Sequence, residues 1–122
     1  MTERPARMTT PAKRQAAAGA VALYNAGRLW EAHEALEVVW RVTRAADREC
    51  WQGLILAAAA MLHRERGNRH GLSTQGALAI GKLGGPVPPD FPVETARFVQ
   101  GLRRCVEEGG PVPAMELRAK AP

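Results

Sequence analysis

Aromatic side chains are scarce in this chain: three Trp, two Phe and one Tyr make up 5% of its 122 residues. The basic residues Arg28, Arg41, Arg48, Arg64, Arg66 and Arg69 are interspersed with Glu and have no regular aromatic partner, which argues against a nucleic-acid surface. Cysteine is scarcer still. Cys50 and Cys105 lie far apart and belong to no Cys-x-x-Cys pair or zinc-ligand run, so free, partly buried thiols are expected. Period-two alternation of apolar and polar residues is missing throughout, so no strand is expected. The longest apolar run, Gly53 to Leu62, falls short of the roughly 20 residues that cross a bilayer. No Ser/His/Asp or Cys/His arrangement has a recognisable spacing, and no glycine-rich phosphate loop follows a strand. Conventional nucleophilic and nucleotide chemistry is thereby disfavoured.

What the chain does have is a hydrophobic fraction of 46%, enough at this length for one domain with one core. Its formal charge of +5 comes largely from the start, where Arg4, Arg7, Lys13 and Arg14 face only Glu3. The remainder is nearly balanced, as a solvated surface would be. Lys13-Arg14 followed by Gln15 to Leu23 imitates a signal peptide, but the apolar part is mostly alanine and runs into amphipathic Tyr24-Asn25-Ala26-Gly27. A cytoplasmic protein without a membrane segment is the expectation.

In chain order, residues 1–11 carry prolines, threonines and scattered charge without apolar period, and are expected to form a disordered tail. A first helix is predicted from Ala12 to Ala26, ended by a left-handed Gly27, and a second from about Leu29 to Thr43. Asp47 is the natural N-cap of a third, Arg48 to about Arg66, which is apolar on nearly every side and so should be surrounded by the others. Gly67-Asn68 closes it. Ser73 to Leu83 reads as a fourth helix, residues 84–90 as an extended surface stretch, and Pro92 to about Glu108 as a fifth. The glycine-ended corners at Gly27 and Gly67 have the look of a tetratricopeptide-type array, but a third copy is missing. The expected fold is all-α, one compact domain over residues 12–110 with helix three central, followed by a loose tail over 111–122.

The one dense set of reactive side chains lies in the second helix. At about 100° per residue, Leu29, Ala32, Leu36, Val39 and Trp40 share a stripe, with His33 and Glu37 along its edge. Glu31, His33, Glu34, Glu37, Trp40, Gln52 and His63 are the candidate site residues, Gln52 and His63 standing on one stripe of the third helix with Leu56 and Ala59.

The blocks Tyr24-Asn25-x-Gly27, Glu31-Ala32-His33-Glu34-x-x-Glu37-x-x-Trp40-Arg41, Gln52-Gly53-Leu54-Ile55, His63 and Arg66-Gly67-Asn68 together resemble a bacterial and archaeal family catalogued as a domain of unknown function, number three hundred and nine. The resemblance runs roughly from Ala20 to Leu83 and implies a small all-helical domain. It brings no established reaction, substrate or cofactor. Leu72 stands where an alanine usually follows the Gly-Asn-x-x-Gly turn, and Tyr24 replaces a commoner phenylalanine.

Two readings of the cluster stay open. In the first, His33, Glu37 and His63 form a buried polar network bracing helix two on helix three, in a non-enzymatic module that binds a protein or small molecule, with no cofactor. In the second, His33-Glu34-x-x-Glu37 is a variant of the helical zinc-protease motif lacking its second histidine. Glu34 would then be the base of a metal-dependent hydrolase, with His33, Glu37 and His63, or His70, as ligands of a divalent metal. Either way an imidazole of His33 or His63 should meet a carboxylate of Glu34 or Glu37. Trp30, Trp40 and Trp51 are expected to be packing anchors. Self-association is compatible with both readings.

Overall fold

The computed structural model describes residues 7–119, and five helices account for most of them: α1 (Thr10–Asn25), α2 (Leu29–Val42), α3 (Arg48–Glu65), α4 (Arg69–Leu83) and α5 (Ala96–Glu108). The sole β pairing among the described residues is an isolated antiparallel bridge, Val93 to Leu117. The fold is the expected all-α bundle with α3 at its centre, packed on α2 and α4, while α1 lies on α2 and α5 on α4. None of the described helices is long and apolar enough to cross a membrane.

Local chemistry fixes the helix ends. Thr9 caps α1 by accepting the Ala12 N–H at 3.2 Å, two residues earlier than the predicted start, so part of the predicted tail is ordered, and residues 1–6 lie outside the described ones. Gly27 (φ 79°) and Gly67 (φ 69°) supply the left-handed residues that turn α1 into α2 and α3 into α4. In both corners an amide closes back on the helix just left: Arg28 to the Leu23 carbonyl and Asn68 to the His63 carbonyl, each at 2.9 Å. Asn68 also begins α4, its side chain accepting the Gly71 N–H at 2.9 Å. That cap moves the start of α4 forward from the predicted Ser73 to Arg69.

The interior follows from α3. Cys50, Trp51, Leu54, Ala57, Ala58, Ala60 and Met61 are all 0% exposed, as expected for a helix with scarcely any polar face. Its close approach is to α4: a Cβ built on Gly53 would stand 2.7 Å from Leu83 Cγ. Cys50 and Cys105 are free and fully buried, beyond the partial burial expected.

Two corrections concern the last third of the chain. α5 starts at Ala96 rather than at Pro92, because Pro92 and Val93 are taken up in pairing with residues 116–118: Arg118 donates to the Pro92 carbonyl and Glu94 to that of Glu116, both at 2.8 Å. Residues 111–119 are accordingly not loose. Met115 is 1% exposed, the Tyr24 hydroxyl donates to the Pro113 carbonyl at 2.8 Å, and the Asn25 amide both donates to and accepts from the Met115 backbone at 2.9 Å. Losing both bonds in Asn25→Ala should cost about 1 to 3 kcal/mol, at roughly 0.5 to 1.5 kcal/mol per hydrogen bond. Amide hydrogen exchange checks it: Met115 should exchange markedly faster, with the α3 amides unchanged until the protein unfolds globally.

Candidate functional site

The candidate residues occupy the outer edge of α2 and the adjoining stripe of α3. Leu29, Ala32, Leu36 and Val39 bury the core face of α2, which leaves His33, Glu37 and Trp40 half-buried along its flank. On α3, Gln52, Leu56, Ala59 and His63 are the half-buried positions of one stripe. Arg48 joins the two helices at one end: its guanidinium carbon lies 4.1 Å from the Trp40 ring centroid, and its Nη1 donates to the Trp40 carbonyl at 2.8 Å.

The expected pairing of imidazole with carboxylate does not form. His63 stays with its own corner, its Nδ1 3.1 Å from the Asn68 side-chain nitrogen and its ring packed on Gly71, where a Cβ would come within 2.4 Å. His33 instead stacks on Trp30, with ring centroids 5.3 Å apart and planes 10° from parallel. Glu37 pairs with Arg41 at 3.2 Å within α2, and Glu31 with Arg28, the residue before the helix, at 2.5 Å. Glu34 is exposed and takes part in no ion pair among the described residues. Short-range partners one turn or one corner away have won over partners across the helix interface. Among the described residues no three His, Cys, Asp or Glu side chains gather closely enough to share a metal ion, so the proposed set of His33, Glu37 and His63, or His70, is not assembled.

Two nitrogens on this edge are buried without a hydrogen-bond partner, Nδ1 of His33 and Nε1 of Trp40. Buried polar groups are almost always satisfied, and each exception costs about 1 to 3 kcal/mol, so their coincidence on one flank of α2 marks it off from the rest of the fold. The tryptophans also divide. Trp51 is the core anchor expected, whereas Trp40 is half-buried and Trp30 is 58% exposed. The packing-anchor expectation fails for Trp30.

Other motif residues serve the fold. Tyr24 and Asn25 hold the chain's last segment, Gly27 and Gly67 turn the corners, Asn68 caps α4, and Gly71 makes room for His63. Burial and, less strongly, the nearby Cys105 thiol keep the Tyr24 hydroxyl well above its ordinary range, so it acts as a neutral donor.

Asp47 is a residue whose role the sequence missed. It stands at the N-cap position of α3 but makes no capping bond; its carboxylate accepts from Trp51 Nε1 and from Lys13 Nζ, both at 2.8 Å. Spacing could have suggested the first partner, four residues on. Nothing local points to Lys13.

No curated protein and no solved structure matches the chain. Residues 18–74, from the middle of α1 to the first turns of α4, match the model of the family described as Domain of unknown function (DUF309).

Proposed function

We propose that this protein is a non-enzymatic interaction module, working in the cytoplasm, whose contact face is the outer flank of α2 together with the half-buried stripe of α3. The observation that carries the reading is the Trp30–His33 stack, more than half exposed at Trp30, beside two buried nitrogens without partners. Tryptophan is enriched among the residues that carry most of the binding energy of protein interfaces, and local rules are broken at functional sites. Small-molecule sites are concave and enclose most of their ligand, whereas this edge of α2 is open. A protein segment suits it better. The unpaired, exposed Glu34 on the same helix favours a partner that brings a cation. Among the described residues no three potential ligands gather to hold a metal, so the geometry gives the metal-dependent hydrolase reading no support.

Photocrosslinking in living cells tests the proposal. Benzoylphenylalanine at position 52, on the α3 stripe, should give one discrete adduct with another protein. The same probe at position 103, exposed on α5, should give none. Trp30→Ala should reduce the adduct at least tenfold, matching the roughly 2 kcal/mol lost with a hot-spot residue. Equal adducts at both positions, or an adduct insensitive to Trp30→Ala, would overturn the reading. An adduct of the chain with itself would assign the face to a second copy and remove the foreign partner.

A further inference from the structure

A large cavity has no part in the motif set. A cleft of about 800 Å³ opens between the first turns of α1, the proline-rich stretch before α5 and the end of the described chain. Its walls are mostly apolar, formed by Pro11, Ala18, Phe91 and Leu117, with Phe91 only 1% exposed and stacked edge-on against Trp51. Two half-buried arginines line it, Arg14 from α1 and Arg118 from the chain's last segment. They are fixed by backbone carbonyls: Arg14 Nη2 donates to the Arg118 carbonyl at 2.8 Å, and Arg118 Nη1 reaches that of Pro88 at 3.4 Å.

Neither guanidinium belongs to any ion pair among the described residues. Half-buried cations are normally paired, and each fork still carries donors that a backbone carbonyl does not use. The single acid in the lining among the described residues, Asp90, is exposed and makes no ion pair with them, so this lining is positive on balance. The N-terminal end of α1 adds to that sign, for its first turn holds no acidic residue. Volume, apolar walls and a few convergent polar groups are the features of a ligand site.

We infer that this cleft binds an amphipathic carboxylate, its headgroup held by Arg14 and Arg118 and its hydrocarbon body laid on Pro11, Ala18 and Leu117. Guanidinium forks match a carboxylate in two parallel hydrogen bonds, and the apolar wall rewards a chain that acetate lacks. This site is independent of the α2 and α3 face.

Titration of the full-length protein with decanoate by calorimetry tests the inference, alongside amide shifts from nitrogen-labelled protein. Decanoate should bind one site with a Kd on the order of 100 µM or tighter, shifting the amides of Ala18 and Leu117 but not those of Trp30 or Gln52. Acetate and decyltrimethylammonium should bind at least tenfold more weakly. Arg14→Gln and Arg118→Gln should each weaken decanoate at least tenfold while the thermal melt stays within a few degrees of the parent. Equal binding of decyltrimethylammonium, or unchanged affinity in both variants, would overturn the inference by showing that the arginines do not select the ligand. Absence of saturable binding below about 1 mM would overturn it too, and is the result expected if the protein's own terminal residues or a second copy cover the cleft.

Discussion

Replacing Trp51 by Ala should cost about 3 to 5 kcal/mol of folding stability, the usual range for removing a large core aromatic. Trp51 is the largest of the fully buried side chains, at 0% exposure, and its ring meets Phe91 edge-on with centroids 5.1 Å apart. Its indole N–H donates to Asp47, so truncation opens a cavity and also strips a half-buried carboxylate of one donor. A small domain has roughly 5 to 15 kcal/mol in all, so the variant should be folded only marginally at 37 °C. Trp40→Ala should cost less, about 1 to 2 kcal/mol, because Trp40 is half-buried and its main partner is the Arg48 guanidinium. Urea melts of the two variants measure both numbers. If Trp40→Ala cost as much as Trp51→Ala, the ranking of the two rings given by their burial would be wrong.

The second large effect is expected at Asp47, where Asp47→Ala should cost about 2 to 4 kcal/mol at neutral pH. The pair it makes with Lys13 differs from ordinary surface ion pairs, which contribute little: its side chains are only 12% and 16% exposed. Truncation would leave the Trp51 N–H buried without an acceptor and Lys13 without its counter-ion. Burial by itself would push the Asp47 carboxyl up. The hydrogen bonds from Lys13 and Trp51, with the Lys13 charge, outweigh burial and hold it below its ordinary value of 3.8. The folded state therefore binds this proton more weakly than the unfolded chain does. The stabilisation is full above the unfolded value and is lost as pH falls through the lower folded one, so it fades downward from about pH 4 to 5. Urea melts between pH 7 and pH 2 should show the parent losing stability in that window, with a shallower acid limb in Asp47→Asn. An unchanged slope in Asp47→Asn would show that this carboxylate does not carry the acid sensitivity.

Helix existence was legible because its determinants are local. Gly27 and Gly67 are needed where the chain turns, and the apolar circumference of α3 marks the hub without knowledge of any partner. The α2 flank was legible for the same reason, since three residues at helical spacing share an edge wherever the helix goes. Partners were a different matter. His33, Glu37 and His63 look like a network on adjacent stripes, yet each has a nearer partner within its own helix or corner: Trp30, Arg41 and Asn68. Closing five residues costs far less chain entropy than aligning two helices for a hydrogen bond.

By itself, then, the sequence determined five helices, their order, the hub and the motif edge, all of which rest on periodicity and turn chemistry within a few residues. Only the tertiary structure decided that Asn25 ties down Met115 across 90 residues, that Lys13 finds Asp47 across 34, and that Val93 pairs with Leu117 and so delays α5. It likewise decided that Arg14 and Arg118, 104 residues apart, stand together over an apolar cleft. Such pairs leave no periodic trace, because a side chain's long-range partner is set by where the packed helices bring the backbone, and no spacing along the chain encodes that position.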